Sequence, residues 1–181
     1  MTWTGLHCRV SWKREDVDTF IAGTLAPAMA GHEWYYLRYW ETGPHLRVRF
    51  KNADLADRLR DLITQQDFAT VDDEPDWLPH GDVREIPYVP ETDRYGGPDA
   101  LPIAEEVFCR STEVAIAVLK ATSTESARLT AAIELAMATT TALGLDLPQA
   151  ASWLRTIGTS WRDVQEQAPK PTLGSHAAAQ R

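Results

Sequence analysis

Apolar and polar residues alternate over Leu6-His-Cys-Arg-Val-Ser-Trp12, a period of two that predicts a half-buried first strand. From Arg14 the period lengthens. Val17, Phe20, Ile21 and Leu25 share one stripe behind the acidic start Glu15, Asp16 and Asp18, so a helix is expected over 14–30, with Pro27 ending or kinking it. Alternation on both sides of Thr42-Gly43-Pro44 predicts a hairpin built from Trp34-Tyr-Tyr-Leu-Arg-Tyr-Trp40 and His45-Leu-Arg-Val-Arg-Phe50. Leu55, Leu59, Leu62 and Ile63 mark an amphipathic helix over 53–65. Residues 67–82 carry Pro75, Pro79 and the acidic run Asp72-Asp73-Glu74 and read as a solvated loop, a candidate lid. Residues 83–89 predict a strand that Pro87 confines to a sheet edge or a site lining. Beyond Gly96-Gly97-Pro98 the pattern is helical, over 100–121, 124–143 and 148–157, with Asp146 capping the last helix just before Pro148. The segment from Ala168 is rich in Pro, Gly, Ser, Ala and Gln, and is expected to be disordered.

This order gives an α+β domain: a small, mostly antiparallel sheet with a helical C-terminal half packed on it. At 181 residues, 44% of them hydrophobic, one domain over 1–167 followed by a tail over 168–181 is the expected organisation. A net charge of -8 and a pI near 5.1 exclude a general nucleic-acid binder, but leave room for a local basic site. Cys8 and Cys109 have no paired spacing and read as small apolar residues, so neither a metal site nor a disulfide is expected. No apolar run is long enough to span a bilayer and no signal core stands at the N-terminus, so a cytoplasmic protein is expected.

The candidate chemistry begins in the second arm of the hairpin. A pleat of period two sets His45, Arg47 and Arg49 on one face and Leu46, Val48 and Phe50 on the other. Like charges that share a face repel unless an anion sits between them, so the row is a candidate anion site. In Tyr88-Val-Pro-Glu-Thr-Asp-Arg-Tyr-Gly-Gly-Pro98, Glu91 and Arg94 stand three apart in a turn that can aim a carboxylate and a guanidinium at one point; an internal ion pair shaping the turn is the plainer reading. His45 also reads as a structural strand-end residue. Trp34, Tyr36 and Trp40 alternate on one face and are expected to fill the core, while Trp3, Trp77, Trp153 and Trp161 fall near loops or ends.

Arg38-Tyr-Trp40, His45-Leu-Arg-Val-Arg-Phe50, Pro90-Glu-Thr-Asp-Arg-Tyr-Gly-Gly97 and Ala104-Glu-Glu-Val-Phe-Cys-Arg-Ser111, in that order, resemble the C-terminal domain of lantibiotic dehydratases, also called the thiopeptide-type bacteriocin biosynthesis domain. The resemblance runs from about Trp12 to about Ser111. It implies action on a leader-bearing precursor peptide without metal or organic cofactor. Two chemistries follow from it: elimination of glutamate from glutamylated Ser or Thr, or a formal [4+2] cycloaddition of two dehydroalanines.

Carried over by motif, Arg47 and Arg94 would hold the glutamyl group or developing anion, Arg49 and Glu91 would orient them, and Arg38 and Tyr95 would bind substrate. The family's late His-Met…Asn-Arg type motif, with its acid/base histidine, has no match, since the only late histidine is His176. His45 and Tyr95 are the nearest alternative bases. A non-catalytic peptide-binding subunit that completes a split dehydratase, in a homo- or hetero-oligomer with a glutamylating partner, is the reading from another class.

Overall fold

A computed structural model describes residues 2–40, 42–71 and 75–167, with backbone alone from residue 160 onward. The acidic run 72–74, the tail 168–181 and His176 lie outside the described residues, and so does the Trp161 side chain.

The alternating segments form the strands β1 (Thr4–Arg9), β2 (Trp34–Tyr39), β3 (His45–Phe50) and β4 (Val83–Pro87), joined in one antiparallel sheet of order β2-β3-β1-β4. The expected mostly antiparallel sheet with a helical C-terminal half is what the chain forms. β4 takes the edge, as its proline requires. The first helical stretch is interrupted. α1 (Arg14–Phe20) runs into a π-helical turn, Ile21–Leu25, and then the single turn α2 (Ala26–Ala28), so the helical stretch ends one residue past Pro27. Phe20, Ile21, Leu25 and Met29 are all buried, the wider turn between them keeping the apolar stripe on the sheet.

The remaining helices are α3 (Leu55–Thr64), α4 (Leu101–Ala121), α5 (Glu125–Ala142) and α6 (Leu147–Gln167), the last ten residues longer than the sequence pattern indicates. Gly158 does not stop it. A Schellman closure ends α5: Gly144, at φ 69°, donates to the Thr141 carbonyl and Leu145 to that of Thr140. Asp146 caps α6 as expected, its Oδ1 accepting from the Gln149 amide at 2.8 Å while Gln149 Oε1 accepts from the Asp146 amide at 2.9 Å.

The chain divides into two compact units, residues 1–128 and 129–181. In the first, one sheet face packs on the helices through Leu6, Cys8, Val10, Leu46, Val48 and Phe50, against Phe20, Ile21, Leu25, Leu59 and Ile63. α4 runs beside β2, where Thr112 Oγ1 accepts the Tyr36 amide at 3.4 Å. Below the sheet, the buried Asp18 carboxylate joins Arg38 of β2 to Arg128 near the start of α5. In the second unit Thr140 and Ala150 are buried.

Candidate active site

With Leu46, Val48 and Phe50 committed to the core, strand parity sends His45, Arg47 and Arg49 to the opposite face. The register brings three further strands into line with them. Arg49 stands between Gly5 and Tyr35; Arg47 between His7 and Leu37; His45 between Arg9 and Tyr39. β4 adds Arg84 beside His7 and Ile86 beside Gly5. Four guanidinium groups and two imidazoles thus share one face of a chain whose net charge is -8.

Each member is placed by a specific contact. Arg49 lies flat across β1 because Gly5 has no side chain: a Cβ there would stand 1.8 Å from Arg49 Nη1 and 2.8 Å from the Ile86 carbonyl oxygen. The Arg47 guanidinium stacks on the Tyr39 ring, 3.4 Å from its centroid, and its Nε donates to His45 Nε2 at 3.1 Å. Nδ1 of the same ring lies 2.7 Å from Arg9 Nη1 and 3.0 Å from the Gly43 carbonyl oxygen, so arginine donors face both of its nitrogens. Arg9 Nη1 reaches the same carbonyl at 3.2 Å and that of Thr42 at 3.3 Å, tying the hairpin turn to the row. Thr42 and Gly43 both have positive φ, 54° and 100°, and Trp77 closes over Gly43 where a Cβ would stand.

His7 is at the centre. Its ring centroid is 5.5 Å from that of His45. Burial, then Arg47, Arg49, His45 and Arg9, bring its pKa down from 6.5 to about 4, so the ring is uncharged at neutral pH. Its Nε2 and Arg49 Nη1 are both buried without a hydrogen-bond partner among the described residues. Burial, seconded by Arg47, also lowers the pKa of Arg49, while Tyr35 and Tyr88 act in the other direction. Buried polar groups left unmatched cost about 1–3 kcal/mol each, more when charged, and a bound anion would relieve that cost.

The loop 88–97 closes one end of this face. Tyr88 donates to Glu105 Oε1 of α4 at 2.7 Å, and burial followed by that bond raises its pKa. Tyr35, Leu37, Tyr88, Glu91, Tyr95 and Phe108 line a small pocket of about 90 Å³. Tyr35 and Leu37 are the strand partners of Arg49 and Arg47, so Glu91 and Tyr95 stand beside the cationic row. Arg94 Nη1 bonds Glu91 Oε2 at 2.8 Å in an exposed pair, and that bond raises the Arg94 pKa. His45, Arg47 and Arg49 therefore share one face, Glu91 and Tyr95 line the pocket beside it, and Arg94 stands exposed on Glu91. Arg38 does not join them: its parity in β2 turns it to the helix side and to Asp18. Trp40 corrects an expectation. It lies past the end of β2, 68% exposed, and fills no core, whereas Trp34 is buried as expected.

The family described as "Lantibiotic biosynthesis dehydratase C-term" matches residues 3–180. The chain belongs to this family. Membership in the lantibiotic dehydratase C-terminal family places it in lantibiotic-type peptide biosynthesis, and the match runs beyond the 12–111 stretch on both sides to take in β1 with Gly5, His7 and Arg9. Among solved structures, the chain is similar to the tRNA-dependent lantibiotic dehydratase MibB from Microbispora sp. 107891, at 24% identity and a TM-score of 0.51, over 66% of this chain and 12% of that one. It is also similar to TbtD, the pyridine synthase from thiomuracin biosynthesis, at 18% identity and a TM-score of 0.41, over 68% of this chain and 50% of that one. The chain thus spans 12% of the length of MibB and half that of TbtD. No curated protein matches it.

His7 and Arg9 were not among the residues the sequence motifs pointed to, although the alternation of Leu6, Cys8 and Val10 already set them on the polar face of β1. Their membership of the site depends on the pairing of β1 with β3, across 36 residues for Arg9 and His45.

Proposed function

We propose that this face of the sheet binds the carboxylate of a glutamylated Ser or Thr in a leader-bearing precursor peptide, and that the protein eliminates glutamate from it. The observation that carries the reading is the Arg47 and Arg49 pair flanking an uncharged His7, with a buried guanidinium nitrogen that has no partner among the described residues. A planar guanidinium grips a carboxylate through two hydrogen bonds, which suits both the bound glutamyl group and the departing glutamate. Arg47 and Arg94 take those oxygens. Arg49 and Glu91 orient them, and His45 braces Arg47.

In the reaction a base removes the Cα proton, the C–H electron pair becomes the Cα=Cβ bond, the Cβ–O bond breaks, and glutamate leaves with its negative charge against the arginines. His45 has both ring nitrogens engaged. We assign the proton to His7, opposite Arg47 in the register. A carboxylate bound between the arginines offsets the cations that hold His7 uncharged, and so raises its affinity for the proton it must accept. Tyr95, packed edge-on against Phe108 beside Arg94, lines the substrate side.

The protein that supplies the glutamylated peptide is, on this reading, a separate glutamylating dehydratase in the same cytoplasm. Among the described residues no helix is long and apolar enough to cross a membrane, which agrees with that placement.

Mass spectrometry of a leader-core peptide bearing one O-glutamyl-Ser, incubated with wild type, Arg47→Ala and Arg94→Ala, tests the proposal. Wild type should release glutamic acid and leave dehydroalanine; each variant should slow this by about 10²–10³. If glutamate stays attached while a peptide holding two dehydroalanines is cyclised, the reaction is ring formation. No mass change with either peptide leaves a binding subunit.

A further inference from the structure

The small pocket beside the cationic row has a lining of the opposite character. Tyr35, Tyr88, Tyr95 and Phe108 contribute four aromatic rings, and Glu91 is its one charged lining residue among the described residues. The rings fix one another. Phe108 stands 5.2 Å, centroid to centroid, from Tyr35 and 5.2 Å from Tyr95, and Tyr88 is held by its bond to Glu105. Arg94 meets Glu91 through Oε2 alone, in an exposed pair, and a carboxylate has room for further donors. Aromatic rings and a carboxylate together attract a cation. The volume, about 90 Å³, is about three times one water's share of the liquid, and suits an ammonium with the carbon that bears it.

Resting on the function proposed above, we infer that this pocket binds the α-ammonium of the glutamyl group while the arginines hold its side-chain carboxylate. A glutamyl ester made through the α-carboxyl keeps both charges, about 5 Å apart across four bonds. The site has a matching separation. Tyr35 and Leu37, which line the pocket, lie on the same sheet face as Arg49 and Arg47 and opposite them in the register, where paired residues of adjacent strands stand about 5 Å apart. Each end of the group thus meets the opposite charge. Without Glu91 the ammonium would face a surface otherwise charged by arginines, so the carboxylate is what admits it. The ammonium also sits on the carbon next to the departing carboxylate, and a positive charge there lowers the basicity of the leaving group.

The test measures binding without turnover. Fluorescent leader-core peptides carry, as an unreactive amide on diaminopropionate, a glutamyl group, a glutaryl group that lacks only the ammonium, or an acetyl group that lacks both charges. Anisotropy titrations at pH 7, where an α-amino group is charged, compare wild type, Glu91→Gln, Tyr95→Leu and Arg47→Ala, each checked for folding by circular dichroism. Wild type should favour glutamyl over glutaryl by about tenfold or more. Glu91→Gln and Tyr95→Leu should each bring that ratio down toward unity, whereas Arg47→Ala should weaken both peptides and leave the ratio standing. Glutaryl bound as tightly as glutamyl, with acetyl weaker than either, overturns the inference and leaves the carboxylate site supported. A preference for glutamyl that both pocket variants leave intact also overturns it. Equal binding of all three peptides overturns the inference and the proposed function together.

Discussion

Gly5 is where the architecture of the cationic row can be broken by one methyl group. In Gly5→Ala the new carbon would lie 1.8 Å from Arg49 Nη1, 2.8 Å from Arg49 Cζ and 2.8 Å from the Ile86 carbonyl oxygen. The guanidinium is the free end of a long side chain and can swing away. The carbonyl belongs to the strand paired with β1 at that residue and can only move with it. Overpacking of this kind costs about 1–3 kcal/mol, and removing a glycine from the unfolded chain returns about 0.4–1 kcal/mol, so a net loss of about 1–2 kcal/mol is expected. Arg49→Ala alone should cost little, because it also removes an unmatched buried nitrogen and a repulsion with Arg47. Urea unfolding of wild type, both single variants and the double variant forms a cycle. The double variant should be less destabilised than the sum of the singles by about 0.5–1 kcal/mol, since the guanidinium clash disappears with Arg49 while the Ile86 clash remains. In the elimination assay Gly5→Ala should resemble Arg49→Ala. Additive stabilities, or a Gly5→Ala variant with full activity, would refute the claim that Gly5 exists to seat Arg49.

His7 gives the protein an acid sensitivity of definite sign. Its pKa is lower in the native state, about 4 against 6.5, so stability should fall as pH drops from 6.5 to about 4 and then level off. The full difference corresponds to ~3 kcal/mol and solvent at the partly exposed ring reduces it to about 1–2 kcal/mol; unfolding of His7→Gln across that range should lack this component. Asp18→Asn strands the guanidinium groups of Arg38 and Arg128 and should cost about 3–5 kcal/mol in thermal or urea unfolding. Burial pushes the Cys8 thiol up to about 12, so an alkylating reagent at pH 8 should reach the half-buried Cys109 first and Cys8 only at the rate of unfolding.

What could be seen in the sequence was whatever a local period decides. The hairpin, the outward row of His45, Arg47 and Arg49, the helices from α3 onward and the edge position of β4 all follow from patterns a few residues long. The same parity rule placed Arg38 with Trp34 and Tyr36, away from the row, although its position beside Tyr39 in the motif invited grouping it with the site. Trp40 was misread because the period was carried one residue past the end of β2, into the turn where no partner strand enforces it. The π-helical turn at Ile21–Leu25 leaves no mark on an apolar stripe that continues through it.

The missing half of the site has a different cause. His7 and Arg9 look like ordinary outward residues of a half-buried strand until β1 is laid beside β3, and no local pattern specifies that pairing or its register. Net charge hides the site in the same way. Composition sums all side chains to -8, while the pleat sorts them by face, so that a chain acidic on average carries four arginines on one side of its sheet. An anion approaching this protein meets the sorted face rather than the sum, which is why the acidic balance excludes a general polyanion surface and still permits a pocket for a single carboxylate.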